Sequence, residues 1–236
     1  MELVVTKWID WMFLAFVVIF CSHCGAGYAN TDSDETPNFL KVLNTSRPLF
    51  LLLWAPKLST NETCKGYDCM KRTETCEHMR RENMDRYEYN HTVSKFTTQE
   101  TWYNETLMGR FYLAEVPFIM NVYNISGPIP VPFINSYCMK LIYNQPETYN
   151  CSVVIISKDP SAMCDETKEE VLATSKCAIY MRGRLPRGVY SPRDCQIAFN
   201  KCTRSRITYM PYSPRCADKV PDDGDDSQRY GYSKYG

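Results

Sequence analysis

The residues with the widest chemical reach in this chain are its cysteines, since a thiol can bridge, ligate or attack. There are twelve. Cys21 and Cys24 fall in an apolar amino-terminal segment, which leaves Cys64, Cys69, Cys76, Cys138, Cys151, Cys164, Cys177, Cys195, Cys202 and Cys216. An even set in an exported chain reads as a disulfide framework. A zinc site would want paired C-x-x-C spacings or interleaved histidines, and these ten cysteines show neither. Beyond the amino-terminal segment the histidines are His78 and His91, both inside a polar, charge-rich stretch. A Ser-His-Asp hydrolase would have to use one of them, yet no Gly-x-Ser-x-Gly elbow or glycine-rich phosphate loop is present. The chemistry on offer is cross-linking and binding rather than catalysis, with no metal and no cofactor expected.

The amino terminus supports export. Glu2, Lys7 and Asp10 precede an apolar run at residues 11–21, followed by the small residues Gly25, Ala26, Gly27 and Ala29. A run of that length suits the core of a signal peptide and is too short to span a bilayer. Residues 1–29 are therefore expected to be a signal peptide, with cleavage after Ala26 as the rival position. Asn44, Asn61, Asn90, Asn104, Asn124 and Asn150 each open an N-x-Ser/Thr sequon, so a secreted glycoprotein is expected. Formal net charge is zero, which gives no ground for a nucleic-acid partner. Arg182, Arg184, Arg187, Arg193, Lys201, Arg204, Arg206 and Arg215 form a late basic cluster. It reads as a solvated helix face with its loops, the alternative being a site for an anionic glycan.

Elements must position these residues. Residues 49–54 are a β-type apolar run closed by Pro56. Residues 108–116 alternate, with Gly109, Phe111, Leu113 and Glu115 on one side. Tyr137, Met139, Leu141 and Tyr143 alternate likewise before a turn at residues 144–147, and residues 151–157 and 177–181 supply two further strands. Several short strands with regular turn signals indicate an antiparallel sandwich or barrel. Cys138, Cys151, Cys164 and Cys177 recur every thirteen residues, about one strand plus one turn, so successive members are expected on successive strands. Ser191 and Pro192 predict a helix to about Cys202, with Ser191 as N-cap and Cys195, Phe199 and Cys202 on one face. That face would bolt against the late strands, which suggests a Cys177–Cys202 pair. Residues 38–43 predict a helical turn before the first strand. Residues 219–236, acidic and then rich in Tyr, Gly and Ser, read as a disordered tail after a domain at residues 30–218.

Asn38-Phe39-Leu40-Lys41-Val42-Leu43, Tyr149-Asn150-Cys151-Ser152-Val153, Cys177-Ala178-Ile179-Tyr180 and Cys195-x-x-x-Phe199 with Cys216 stand in an order that resembles the tick salivary lipocalins of the histamine-binding protein family. The resemblance implies a mainly β fold: a lipocalin-like antiparallel up-and-down barrel with one C-terminal helix packed outside. It also implies that Cys195 pairs with Cys151 and Cys216 with Cys69 or Cys76, while Cys64, Cys138 and Cys164 stay unassigned. The family's motif acids are replaced here by Asn38 and Ala178, and its motif tryptophans by Leu40 and Tyr180.

By that resemblance the function is stoichiometric capture of a small host mediator at a feeding site, either histamine or another biogenic amine, or a lipid. Trp54, Phe111 and Tyr180 are candidate lining residues. Glu115 shares a strand face with Phe111, so an inward Glu115 would replace the missing acids as partner for a cationic amine. An outward Glu115 would favour a neutral or lipid-like ligand. The rival class is a protein-binding effector, a complement or clotting inhibitor that uses a filled barrel as scaffold. No membrane span is expected, and the chain is expected to act as a monomer.

Overall fold

A computed structural model describes residues 36–58, 64, 69–112, 117–125, 137–158, 164, 169–185 and 191–220. The expected signal peptide, Asn61, Glu115 with Leu113, Arg187 and residues 221–236 of the expected tail lie outside the described residues, whereas Lys219 ends a helix and Val220 is buried.

Asn38 opens the first element for a local reason. Its side chain accepts from the Leu40 backbone N–H at 2.9 Å, satisfying one of the donors a helix start leaves unpaired. Helix α1, Phe39–Leu43, buries Phe39, Val42 and Leu43. Ten strands follow: β1 (Leu49–Pro56), β2 (Met70–Arg72), β3 (His78–Met84), β4 (Glu88–Phe96), β5 (Trp102–Phe111), β6 (Ile119–Asn124), β7 (Tyr137–Asn144), β8 (Cys151–Ser157), β9 (Lys176–Arg182) and β10 (Thr208–Met210). Three further helices are α2 (Glu169–Thr174), between β8 and β9, α3 (Arg193–Cys202) and α4 (Cys216–Lys219).

Eight strands run antiparallel in chain order from β1 through β3 to β9, and β9 returns to pair with β1 from Leu49↔Arg182 to Pro56↔Lys176. That last pairing closes an up-and-down barrel, the expected architecture, with α3 packed outside on β7, β8 and β9. Closure removes the free edges that an open sheet would leave. Short β10 extends from β1 at Trp54↔Tyr209 and carries β2 beside it.

Alternation along the strands separates two cores. Leu49, Leu51, Met79, Tyr89, Val93, Leu107, Phe111, Met120, Met139, Leu141, Val154, Ala178 and Tyr180 point inward and pack with α1. Phe50, Val153, Ile155, Ile179 and Met181 point outward and pack under Cys195 and Phe199 of α3, with Tyr212 and Val220. The end beneath α1 is tightly filled. A Cβ on Gly109 would come within 2.4 Å of the Met120 sulfur, so the thioether occupies the place of a side chain. Phe39 and Phe111 rings lie 6.4 Å apart. Arg182 Nη2 donates to the Lys41 and Val42 carbonyls at 3.0 and 2.9 Å, tying β9 to the last turn of α1.

Several expectations need correction. Ser191 does not cap α3: Pro192 is the N-cap, without a side-chain cap, and Ser191 Oγ bonds Gln196 Oε1 at 2.9 Å instead. The strand expected at residues 108–116 is β5, which begins earlier, at Trp102. The β7 alternation breaks at a bulge between Leu141 and Tyr143, so Tyr143 joins the outer core. Cys164 precedes α2 rather than lying on a strand. The stretch that holds His78 and His91, read as polar and charge-rich, forms two barrel strands, β3 and β4.

Candidate functional site

The barrel end opposite α1 collects the polar interior. Glu77 just precedes β3, Lys95 lies near the end of β4, Glu105 near the start of β5, and Tyr137 and Lys176 begin β7 and β9. Tyr89, His91, Val93 and Lys95 share one face of β4, and Glu105 shares the face of Leu107, Gly109 and Phe111, so these polar side chains continue the inward rows upward. Glu77 Oε2 and Lys95 Nζ form an ion pair at 3.2 Å. Glu105 accepts a hydrogen bond from the Asn124 side-chain amide.

Two buried phenols, Tyr137 and Tyr180, feel these carboxylates. Burial, then the negative charges of Glu77 and Glu105, push the Tyr137 phenol above its ordinary range. Tyr180 is held well above the ordinary value by burial, then by Glu77 and by Tyr137 and Tyr89. Burial likewise raises Tyr89. The Lys176 ammonium is pulled down by burial, against the opposing attraction of Glu77. Its Nζ stands 5.3 Å from the Trp54 ring centroid, and Trp54 stacks on Tyr209 at 4.0 Å with rings 9° from parallel. Lys71 Nζ approaches the far partner of that stack, Tyr209, at 5.6 Å.

His91 is fully buried on the inward face of β4, stacked on Tyr89 with centroids 4.5 Å apart. Burial lowers it to about 4, so the ring is neutral at physiological pH. His78 is buried on the other side of the sheet, between Phe50 and Trp102 of the outer core. The two histidines therefore stand on opposite faces, each packed among apolar neighbours.

Of the candidate lining residues, Trp54 stands at the polar end and Tyr180 in the interior, its phenol facing Glu77. Phe111 lies at the filled end against Phe39. Trp54 and Phe111 are thus at opposite ends of the barrel. Glu115 lies outside the described residues. Glu77 and Glu105 were missed by sequence reasoning, although Glu105 extends the Leu107–Gly109–Phe111 row backwards at period two, a signal available once β5 is begun early enough. Nothing in the sequence marks Glu77 as inward.

Around the site, disulfides join Cys76 to Cys216, Cys138 to Cys164, Cys151 to Cys195, Cys177 to Cys202 and Cys64 to Cys69. Cys216 is bound to Cys76, the second of its two expected partners. Among the sequon asparagines, Asn44, Asn104 and Asn150 are exposed, Asn90 is half-buried, and the Asn124 amide is engaged by Glu105. Arg184, Arg193, Lys201, Arg204, Arg206 and Arg215 are exposed, as a solvated basic face requires. Among the described residues no helix is long and apolar enough to cross a membrane, and no group of three or more His, Cys, Asp or Glu could hold a metal ion.

No protein-family model matches the chain, and no curated protein matches it in sequence. It is similar to solved structures at low identity. Lobster apocrustacyanin A1 aligns with a TM-score of 0.45 at 10% identity, over 77% of this chain and 83% of that one. Japanin from Rhipicephalus appendiculatus, bound to cholesterol, aligns with a TM-score of 0.41 at 13% identity, over 74% and 97%. The siderocalin Ex-FABP aligns with a TM-score of 0.40 at 9% identity, over 71% and 89%.

Proposed function

We propose that this is a secreted carrier that captures a small cationic amine in the polar half of its barrel. Capture is stoichiometric, and the resemblance to the tick histamine-binding family supports placing it at a feeding site, where it withdraws a host mediator such as histamine. The ten paired cysteines favour an oxidising, extracellular setting.

One observation carries the reading. Glu105 bears on the buried Tyr137 phenol and accepts from a neutral amide, Asn124, whereas Glu77 already has the Lys95 ammonium. A partly desolvated carboxylate beside aromatic rings gains from a cationic partner that also packs on their faces. A neutral lipid would strip water from Glu105 and return nothing to it. Glu105 thereby stands in for the motif acids replaced by Asn38 and Ala178.

The filled end under α1 favours a second reading, a barrel that serves as scaffold for protein binding. Calorimetric titration of the disulfide-intact protein with histamine, serotonin and a fatty-acid mediator separates the readings. The expected result is micromolar or tighter binding of an amine, weakened at least roughly tenfold in Glu105→Gln, the loss of one charge-assisted contact. Lipid binding indifferent to Glu105→Gln, or no binding by any of the three, overturns the amine reading.

A further inference from the structure

His91 carries an acceptor that the described residues leave unused. Its Nδ1 lies 3.2 Å from the Tyr89 carbonyl oxygen, which can only accept, so Nδ1 holds the ring proton and Nε2 is a bare lone pair. That Nε2 is buried and has no hydrogen-bond partner among the described residues. Alternation with Tyr89 and Val93 aims it into the barrel rather than toward α3. We infer that His91 Nε2 selects the captured ligand by a hydrogen-bond donor, an O–H or N–H, at the end of the ligand that goes in first.

Strand register sets the depth. Glu105 is level with Val93, two residues above His91, or about 7 Å along the strand. A ligand with its charged end at Glu105 and a neutral donor one short arm away meets both groups. Phenols, ring N–H groups and alcohols have that donor; an unsubstituted ring or a plain hydrocarbon end does not. Met79, Met120 and Met139 belong to the same inner core, and unbranched thioethers repack around a guest more readily than branched side chains. The ring's neutrality at physiological pH keeps Nε2 an acceptor under working conditions.

The inference rests on the barrel taking a small molecule, but not on that molecule being an amine, and matched ligand pairs keep the two apart. One pair is tyramine and phenethylamine; the other is 1-decanol and decyl methyl ether. Within each pair only the first member offers the donor at its leading end. Titration of the disulfide-intact wild-type chain is expected to show the donor-bearing member of at least one pair binding about tenfold more tightly, the cost of leaving a buried acceptor unpaired. His91→Phe should level that pair, while His91→Gln, which keeps a carbonyl acceptor, should retain much of the difference. Equal affinities within both pairs, a preference that survives His91→Phe, or binding by no member overturns the inference. Preference in the alcohol pair with no amine binding sustains it while defeating the amine reading, and equal affinities within both pairs with amine binding that still falls in Glu105→Gln do the reverse. Wild-type comparisons stand even if His91→Phe does not fold.

Discussion

His91 has a second consequence at the scale of one residue. In the unfolded chain an imidazole titrates near 6.5, whereas in the fold burial holds it at about 4. The unfolded state therefore binds more protons between these values, and stability falls as pH drops through that window. At about 1.4 kcal/mol per pH unit the loss approaches about 3 kcal/mol by pH 4. His91→Phe is expected to be free of this part of the acid sensitivity. Urea denaturation at pH 7 and pH 4 on both proteins checks it, because carboxylates and His78 titrate in both and cancel in the difference. Identical pH slopes would mean that His91 is solvated in the fold. The sequence could not show any of this. His91 sits between Asn90 and Thr92 and near Arg80, Arg81 and Glu82, so its surroundings look like surface until β3 and β4 are paired.

At the scale of elements, legibility followed how cleanly a segment's faces differ. Strands β1 and β8 are buried on both faces, so each appears as a continuous apolar run. Short α1 answers to the helical turn expected at residues 38–43, and α3 to the helical spacing of Cys195, Phe199 and Cys202. By contrast β3 and β4 alternate polar against mixed residues. Arg80, Thr92 and Ser94 look outward or toward the rim, and the inward row itself contains His91 and Lys95. Bulges between Leu51 and Leu53, Arg81 and Asn83, and Leu141 and Tyr143 each shift the period by one residue, which defeats a simple alternation template. Helix α3 gives a prediction at this scale. It is bolted to β8 by Cys151–Cys195 and to β9 by Cys177–Cys202. Replacing Cys177 and Cys202 by Ala removes the bolt at the carboxyl end only, and is expected to cost about 2–4 kcal/mol. Amide exchange should then rise in the last turn of α3 and much less near Cys195. Uniform exchange along the helix would show that Phe199 and the outer core do not hold it independently.

For the whole molecule, one closed sheet separates an inner core that ends in a polar cluster from an outer core capped by α3, α4 and the segment around Tyr212. The disulfide with the widest sequence span is Cys76–Cys216, at 140 residues, and it ties α4 to the segment before β3. It adjoins the site directly, since Cys76 is next to Glu77. The same region is held by other means: Cys76 N–H donates to the Pro211 carbonyl at 3.0 Å, Tyr212 Oη donates to the Leu185 carbonyl at 3.0 Å, and Phe50 and Tyr212 rings meet edge-on at 5.2 Å. Replacing Cys76 and Cys216 by Ala together should therefore loosen the C-terminal segment without opening the barrel. The expected cost is roughly 2–4 kcal/mol, below the full loop-closure value because the other bridges already shorten the unfolded chain. The β-sheet circular dichroism should persist. Tyr209 would leave Trp54 more often, so Trp54 fluorescence should change, and a Trp54→Phe control assigns that signal among the tryptophans. Amine binding should weaken mainly through a faster off-rate, as the Trp54–Tyr209 wall beside Lys176 loosens while Glu105 and His91 stay on their strands. Loss of sheet signal in the double variant would instead make this bridge a condition of barrel closure, and an unchanged off-rate would remove β10 from the binding chamber.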